Sequence, residues 1–389
     1  MSSQIDSIAA QPAVQAALSH FQQSLHQAIQ TIIAVQQIAS PTFAEQARAA
    51  HVAERFMALG LLDVEQDAVD NVYGRFPGWM SHLSPVVVSA HMDTVFPDGT
   101  DLTVTRKNGR IYGPGIGDNS TGVAGLLLLI EAMNQFNLRP QADVWFVANV
   151  GEEGMGDLRG MRAVGERFGK SAAYLVVEGG LYGQIAHQAI GVRRFRLDVA
   201  ANGGHSWANF GQASAIHALA SIITHIDALP VPKTPKTTYN IGTIGGGTSV
   251  NTIAQTATCL LDLRSEDTEA LAQLVQQVEG IVAQVEREKR GEVKVTMTQV
   301  GNRPAGQIPR QSPLVKLAED ALRAVDCPTA TYIIGSTDAN IPLSMGAQAV
   351  CVGLTESGNA HRLDEYIDPA KLPQGLGQLL LLLLAAAES

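Results

Sequence analysis

The chain has 389 residues, 46% of them hydrophobic and 16% charged, and its formal net charge is −10. This length and apolar content predict a folded protein with a large core and two or more domains. The acidic balance argues against nucleic-acid partners and against attraction to anionic membranes.

The first half of the chain reads as alternating helices and strands. Apolar residues recur every three or four positions in the helical segments, and short β-branched runs mark the strands. In chain order we predict helices 12–39 and 44–60, strands 71–76 and 85–90, a hairpin over 102–112, a helix over 123–136, and strands 144–150 and 173–177.

The pattern changes at about residue 189. Strand 192–200, helix 212–229, strands 239–245 and 256–264, helix 268–289 and strand 292–297 follow one another. This β-α-β-β-α-β order is that of a split ferredoxin-like unit. Helix 313–325, strand 330–334, helix 339–345, strand 349–353 and a terminal helix then resume the first pattern. We therefore predict one α/β domain, 1–188 and 302–389, interrupted by an inserted α+β domain, 189–301, whose two ends lie close together.

Polar residues follow several of these strands. They are His91, Asp93, Asp118, Glu152, Glu153, Glu178 and His361. Open α/β sheets place their sites at the carboxyl ends of strands, and histidines with carboxylates match a zinc site in ligand type. Five ligands are too many for one tetrahedral zinc but suit two metals ~3.5–4 Å apart that share one carboxylate. Asp93, two residues after His91, can accept a hydrogen bond from the imidazole nitrogen that faces away from the metal.

The sequence resembles the zinc-dependent exopeptidase and deacylase family that includes carboxypeptidase G, peptidase T, acetylornithine deacetylase and succinyl-diaminopimelate desuccinylase. The resemblance extends over nearly the whole chain. It rests on residues 89–94 (SAHMDT), 117–122 (GDNSTG), 151–154 (GEEG), 177–179 (VEG), 203–206 (GGHS), 249–253 (SVNTI), 262–264 (DLR), 303–306 (RPAG), 335–340 (GSTDAN) and 359–361 (NAH). Short motifs of this kind are weak singly and strong in the right order.

The resemblance implies a role for each strand-end residue. His91, Asp118 and Glu178 would hold one zinc. Asp118, Glu153 and His361 would hold the other, with Asp118 as the bridge. Glu152 would be the general base, and Asp93 would orient His91.

The resemblance also implies roles for residues outside this set. In the insert, His205 resembles a histidine that reaches across a dimer to the partner's scissile carbonyl. Asn251 and Arg264 match a pair that recognises substrate carboxylate or carbonyl groups, and Ser336 and Thr337 occupy the usual substrate-contact loop.

The implied protein is a zinc-exopeptidase-like, three-layer α/β domain with a mixed sheet, carrying a ferredoxin-like dimerisation and lid domain. It would form a homodimer through the insert and use two Zn²⁺ per chain, although Co²⁺ or Mn²⁺ fits similar ligands. Its implied activity is cleavage of an amide bond in a small peptide or an N-acyl amino acid. Glu178, where aminopeptidase members usually have Asp, favours a carboxypeptidase-like or deacylase activity.

Four alternatives remain open at this point. The chain could be an N-acyl amino acid deacylase or desuccinylase rather than a peptidase. It could be a non-catalytic relative that binds peptides, although every position of the implied metal and base set is filled. His205 could merely cap its own loop, and Asp262 and Arg264 could form only a strand-end ion pair.

The cysteines and the N-terminus indicate the compartment. The three cysteines are scattered, with no Cys-x-x-Cys pair, which predicts reduced thiols and a cytoplasmic protein. The N-terminus lacks a basic segment followed by an apolar one, so we expect no signal peptide. The longest apolar run, 379–387, is too short to span a bilayer.

Overall fold

The computed structural model describes residues 4–289, 291–327 and 329–388. The helices in this part of the chain are α1 Gln4–Ala9, α2 Pro12–Gln23, α3 Leu25–Gln36, α4 Gln46–Ala58, α5 Gly122–Gln135, α6 Arg159–Phe168, α7 Ala215–Asp227, α8 Thr268–Glu288, α9 Pro313–Ala324, α10 Asn340–Ser344 and α11 Leu372–Ala386.

The strands are β1 Leu62–Gln66, β2 Val72–Phe76, β3 Val86–His91, β4 Thr105–Lys107, β5 Arg110–Tyr112, β6 Val144–Asn149, β7 Ala173–Glu178, β8 Gln184–Ala189, β9 Gly191–Ala201, β10 Gly204–His205, β11 Thr237–Gly246, β12 Thr252–Ile253, β13 Thr256–Ser265, β14 Val293–Arg303, β15 Gly306–Gln307, β16 Thr331–Gly335, β17 Gln348–Gly353, β18 Glu356–Gly358 and β19 Tyr366–Asp368.

The chain divides into two compact units. The first runs up to Ala189 and resumes at Gly306, and the second is Ile190–Ala305. The predicted limits, 188/189 and 301/302, were drawn slightly differently, because β14 continues to Arg303 and pairs there with Val192 of β9. Residues 1–3, 328 and 389 of the predicted first domain and residue 290 of the predicted insert lie outside the described residues.

The first unit is built on a mixed sheet in the order β1-β2-β6-β3-β7-β17-β8-β15, with β16 paired to β8. The central strands β6, β3, β7 and β17 are mutually parallel, and β2 and β8 run antiparallel to them on either side. All six residues of β3 are buried. This burial explains its continuous apolar sequence, because a strand covered on both faces has no polar side.

Helices supply the rest of the first core. Helix α11 is buried over nearly its whole length and packs against α9 and α2, and α5 packs against β3 and β7. The leucine run near the C-terminus is therefore an interior helix. The helix predicted over 12–39 is divided at Ser24, whose hydroxyl donates to the carbonyl of His20 and competes with the helical pattern.

The second unit has the predicted ferredoxin-like order. Its sheet is β11-β13-β9-β14, with all neighbours antiparallel. Helices α7 and α8 pack against β9 and β13 and form a separate apolar core with them. The alternating burial of β13 follows the period of two expected of a strand covered on one face. None of the helices in the described part of the chain combines the length and the apolar character needed to cross a bilayer.

Candidate metal centre and active site

The parallel strands of the first unit deliver polar side chains to one edge of the sheet. His91 is the last residue of β3, and Glu178 is the last residue of β7. Glu152 and Glu153 lie three and four residues after the end of β6, and His361 lies eight residues after the end of β17. Because parallel strands share their carboxyl edge, residues far apart in sequence meet there, as the sequence predicted.

Two groups of ligand atoms form at this edge. In the first, His91 Nε2 lies 3.1 Å from Asp118 Oδ1 and 3.8 Å from Glu178 Oε2. In the second, His361 Nε2 lies 3.3 Å from Asp118 Oδ2 and 3.2 Å from Glu153 Oε1. Within each group the ligand atoms all lie within 4.8 Å of one another. Asp118 belongs to both groups and offers a different oxygen to each histidine.

Burial and the two histidines perturb the pKa values of the cluster. Burial raises the pKa of Glu178 to about 7, against the opposing effect of its hydrogen bond with His91. Burial acts in the same direction on Asp118, but hydrogen bonds from His361 and His91 outweigh it and hold the pKa of Asp118 well below its usual range. Hydrogen bonds to Asp118 and Glu153 raise the pKa of His361 to about 10.

The residues present fit a pair of divalent cations. Imidazole nitrogens and carboxylate oxygens are the ligands that zinc prefers outside thiolate sites. Three carboxylates converge on two histidines, and buried negative charge of this density needs positive charge nearby. Divalent cations, with both histidines deprotonated as ligands, would supply that positive charge better than protonated histidines do.

Asp93 lies behind the first group and is completely buried. His91 Nδ1 lies 3.1 Å from the backbone carbonyl of Asp93 and 3.4 Å from its carboxylate, so both oxygens can orient the imidazole. The carboxylate also accepts hydrogen bonds from the backbone N–H groups of Glu152 and Glu153, at 3.0 and 2.9 Å. Asp93 therefore fixes the backbone of the glutamate pair, a role that sequence analysis missed.

The two glutamates differ in their contacts. Glu153 faces His361 as one of the ligand group, and its side chain is 6% exposed. Glu152 is also buried and belongs to neither ligand group. The opposed directions expected of adjacent side chains in extended backbone allow these separate positions.

Sequence analysis also missed Glu365. Its buried carboxylate accepts backbone N–H donors from Gly115, Gly117 and Asp118, at 2.9, 2.8 and 2.8 Å. Burial raises the pKa of Glu365 to about 7, although the three hydrogen bonds act to lower it. Glu365 thus connects the loop of Asp118 to the segment that carries His361, four residues earlier.

Arg48 is a second buried charge near the site that sequence analysis did not single out. Its Nη1 donates to the backbone carbonyl of Met92 at 2.7 Å, between His91 and Asp93. Its other nitrogens donate to the carbonyl of Ile38. Burial lowers the pKa of Arg48 to about 10, and the charge of Asp93 opposes this shift. An arginine inside a helical pattern gave no signal for this contact.

In the second unit, the structure brings His205 and Asn251 together. His205 in β10 pairs with Thr252 in β12, and the N–H of Ser206 donates to the carbonyl of Asn251 at 3.0 Å. His205 Nδ1 accepts the backbone N–H of Trp207 at 3.2 Å, so the imidazole does cap its own loop. A neutral imidazole that accepts at Nδ1 carries its hydrogen on Nε2, which leaves that nitrogen able to donate.

Arg264 lies apart from this pair. It stands opposite Val192, whereas Thr256 at the other end of β13 stands opposite Ala200. Eight residues of strand separate these ends, which is about 26 Å at ~3.3 Å per residue. Arg264 Nε is 2.6 Å from Asp262, so the ion pair allowed by the sequence is present, and Asp262 also contacts Arg194 at 2.9 Å. Asn251 and Arg264 therefore lie near opposite ends of β13, and their predicted role in substrate recognition stays a prediction.

Ser336 and Thr337 follow β16 in the first unit and are half-buried. Thr337 Oγ1 accepts the backbone N–H of Ala339 at 3.2 Å, and the N–H of Thr337 donates to Asn340 Oδ1 at 2.9 Å. These bonds shape the start of α10. They give Thr337 a structural role beside the predicted substrate contact, which stays a prediction.

Comparison with known proteins assigns the family. Residues 87–385 match the model of peptidase family M20/M25/M40, a span that includes the second unit, most of the first and every ligand of the two groups. The chain belongs to peptidase family M20/M25/M40. This membership confirms the predicted resemblance and identifies the protein as a hydrolytic enzyme. Peptidases of family M20 are metal-dependent, which agrees with the ligand groups at the sheet edge.

Curated relatives of this M20 protein are distant. It is 23% identical over 310 residues to the Bacillus subtilis protein YqjE, described as uncharacterized, and the match spans 76% of this chain and 81% of that protein. It is 29% identical over 217 residues to a peptidase M20 domain-containing protein of Schizosaccharomyces pombe, spanning 53% of this chain and 51% of that protein.

Solved structures of M20-like enzymes share the fold. A tripeptidase from Staphylococcus aureus superposes with a TM-score of 0.80 at 22% identity, covering 94% of this chain and 99% of that one. Human carnosine dipeptidase 1 superposes with a TM-score of 0.77 at 14% identity, covering 97% of this chain and all of that one. These similarities confirm the predicted α/β fold with a mixed sheet.

Proposed function

We propose that this M20 protein is a di-metal exopeptidase that hydrolyses an amide bond of a small peptide. The observation that carries the proposal is the pair of ligand groups that share Asp118, together with the buried Glu152 that directly precedes the ligand Glu153 in the chain. Two Zn²⁺ ions per chain match the ligand chemistry, and Co²⁺ or Mn²⁺ would fit as well. A non-catalytic peptide-binding relative would have no need for this complete set.

The chemistry divides between the ions and the chain. Bound divalent ions acidify water and polarise a carbonyl, which prepares both partners of amide hydrolysis. Glu152 takes the proton of the attacking water and passes it to the leaving amine nitrogen, as a general base and then a general acid. Asp93 keeps Glu152 in place through its backbone N–H and keeps the imidazole of His91 oriented.

His205 supplies a hydrogen bond to the developing oxyanion in this proposal. Its Nδ1 accepts from its own loop, so Nε2–H is the donor that remains. Such a donor typically contributes a factor of ~10²–10³ in rate. Arg264 would bind a substrate carboxylate and Asn251 a carbonyl, with Ser336 and Thr337 as further substrate contacts.

A homodimer through the insert accounts for the separation of these residues. His205 and Asn251 lie at one end of β13 and Arg264 at the other. A dipeptide is at most about 7 Å long, so one insert cannot supply both ends to one substrate. Two copies can. Trp207 and Phe210, which flank His205, are 88% and 91% exposed, and apolar surface of this kind is typical of interfaces.

The names of the structural relatives support small peptides as substrates. They include a tripeptidase, an aminopeptidase and carnosine dipeptidase 1. A second candidate is an N-acyl amino acid deacylase. Glu178 favours it, and so does a match of 31% identity over 86 residues to succinyl-diaminopimelate desuccinylase from Coxiella burnetii, although that match spans 23% of the desuccinylase.

The deciding experiment is a hydrolysis screen with metal-loaded protein. Dipeptides, tripeptides and N-acyl amino acids are incubated with protein supplied with Zn²⁺, Co²⁺ or Mn²⁺, and the released amines are quantified. We expect hydrolysis of small peptides that a chelator abolishes. Hydrolysis of N-acyl amino acids alone would favour the deacylase, and no hydrolysis of any amide would contradict the proposal.

A further inference from the structure

A cleft of about 710 Å³ lies in the first unit. Its walls are extensions of the segments that carry the proposed ligands. Phe96 follows Asp93 by three residues, Pro114 precedes Asp118 by four, and Leu363 follows His361 by two. A chain spans at most ~3.6 Å per residue, so these three wall residues lie within about 14 Å of Asp93, Asp118 and His361, respectively.

This distance is within the reach of a small substrate. A peptide advances by about 3.3 Å per residue when extended, so a small substrate held at the ligand groups is long enough to reach these wall residues. The volume of about 710 Å³ falls in the range of small-molecule sites, ~300–1,000 Å³. The cleft can therefore receive a whole side chain or acyl group next to the cleaved bond.

The surface that the cleft presents is mainly apolar. Phe96, Pro97, Tyr112, Pro114 and Leu363 line it. Leu363 is 69% exposed, so its side chain is accessible to a group that enters the cleft.

Several polar side chains of the cleft form hydrogen bonds or ion pairs with neighbouring residues. Thr100 Oγ1 donates to the carbonyl of Pro97 at 2.7 Å, and Thr103 Oγ1 donates to Asp101 at 2.6 Å. Asp364 accepts from the guanidinium of Arg362 at 2.8 Å. Hydrogen bonds already made within the protein leave these groups with less to offer a polar ligand.

The charged side chains that line the cleft restrict the chemical class of group that it can bind. Two carboxylates, Asp101 and Asp364, face one ammonium group, that of Lys107. This balance disfavours an anionic group in the cleft, because a carboxylate there would meet more negative than positive charge.

We propose that this cleft is a specificity site that takes an uncharged apolar side chain or acyl group, of leucine or phenylalanine size, adjacent to the hydrolysed amide. Leu363 is its specificity-determining residue. The assignment rests on the proposed amide hydrolase function. It extends that function by naming the chemical class of the substrate group and the side chains that select it.

The first test compares substrates in matched pairs. Two dipeptide series, Xaa-Gly and Gly-Xaa with Xaa as Gly, Leu or Phe, are assayed with the metal-loaded wild type and with Leu363→Glu, Leu363→Met and Met57→Glu. Met57 is 58% exposed on α4 and is not among the residues lining the cleft. Met57→Glu therefore introduces the same negative charge at an exposed apolar position outside the cleft.

We expect the wild type to prefer Leu or Phe over Gly in at least one series. Leu363→Glu should lower that kcat/KM ratio about tenfold or more, since one lost apolar contact in a pocket costs this much. Leu363→Met should preserve the ratio, and Met57→Glu should leave it unchanged. A wild type without apolar preference, or a ratio that Leu363→Glu does not change, would overturn the assignment.

The second test does not depend on hydrolysis. Saturation-transfer NMR is recorded with N-acetylphenylalaninamide and N-acetylglycinamide on chelator-treated wild type and Leu363→Glu. Transfer to the phenyl protons that is lost in Leu363→Glu supports the cleft, and equal transfer in both proteins overturns it. A wild type that hydrolyses no amide would contradict the proposed function alone, because this measurement would still decide the cleft.

Discussion

The carboxylate of Asp93 accepts a hydrogen bond from the backbone N–H of Glu153 at 2.9 Å. Its other oxygen accepts the N–H of Glu152 at 3.0 Å, and the same residue contacts the imidazole of His91. One buried carboxylate therefore positions a ligand from β3 and the glutamate pair after β6. This arrangement makes the geometry of the site depend on a residue that contacts no proposed metal.

Replacing Asp93 tests this dependence. Asp93→Asn keeps the size of the side chain but exchanges one acceptor oxygen for an N–H₂ group that faces a backbone donor. We expect metal affinity to fall by about 10–100-fold, the usual cost of losing a group that supports a metal ligand. Isothermal titration of chelated protein with Zn²⁺ measures it.

Thr42→Val is the matched control for Asp93. Thr42 Oγ1 donates to Asp93 Oδ2 at 3.0 Å, so valine removes a donor and leaves both acceptors in place. We expect less than a threefold change in metal affinity. Equal losses in the two variants would show that general packing, not the bonds to Glu152 and Glu153, supports the site.

Glu365 makes a parallel prediction for the loop of Asp118. Glu365→Gln replaces one of the oxygens that accept the N–H groups of Gly115, Gly117 and Asp118. The loop that carries the shared ligand should loosen, and metal affinity should fall by roughly 10–100-fold. The d–d spectrum of the Co²⁺-loaded protein should change with it, because that spectrum reports the ligand geometry.

Glu356→Gln controls for the loss of a glutamate in the same small sheet. Glu356 is exposed in β18, which pairs with β19 just after Glu365. We expect wild-type metal affinity and an unchanged Co²⁺ spectrum. If Glu365→Gln lowered thermal stability but left metal affinity and the Co²⁺ spectrum unchanged, the carboxylate of Glu365 would have only a structural role.

Metal binding should release protons at neutral pH. The pKa of His361 is raised to about 10 without metal, so the imidazole is protonated at pH 7 and must lose its proton to become a ligand. Apparent affinity should therefore rise with pH up to about 10. Titration of Zn²⁺ at pH 7 in two buffers of different ionisation enthalpy counts the released protons. We expect at least one per chain, and no release would contradict the assignment of His361.

The role of His205 across a dimer is testable by subunit mixing. His205→Ala should lower kcat by ~10²–10³ while metal content stays unchanged, because an oxyanion donor is lost. His217→Ala, an exposed histidine on α7, should have wild-type activity. Mixed His205→Ala and Glu152→Gln subunits should regain part of the activity, since one site of each mixed dimer has both groups intact. A monomer with full activity would rule out the cross-subunit role.

The residues at the ends of the parallel strands could be predicted from the sequence. Continuous apolar residues predict buried strands such as β3 and β6, and the topology of a parallel sheet then brings His91, Glu153 and Glu178 to one edge. The ferredoxin-like order of the insert was predictable for the same reason. Both follow from local patterns and from rules of connection that hold across folds.

Contacts that depend on loop conformation or on strand pairing in the insert could not be predicted from the sequence. Glu365 was missed because three backbone N–H groups converge on it only after the loop 115–118 has its final shape. The resemblance implied that Asn251 and Arg264 both recognise the substrate. Their places near opposite ends of β13, with Asn251 beside His205, follow from strand pairing that short motifs alone do not give.

The most direct test of the di-metal account is a metal titration of turnover. Chelated protein receives increasing Zn²⁺, and hydrolysis of its best small-peptide substrate is measured at each step, with Glu152→Gln titrated alongside. The account predicts activity that reaches its maximum at two equivalents per chain, and a Glu152→Gln protein that binds the same two equivalents but turns over ~10²–10⁴ times more slowly. Hydrolysis that persists in the chelated protein, or a maximum at one equivalent, would contradict it.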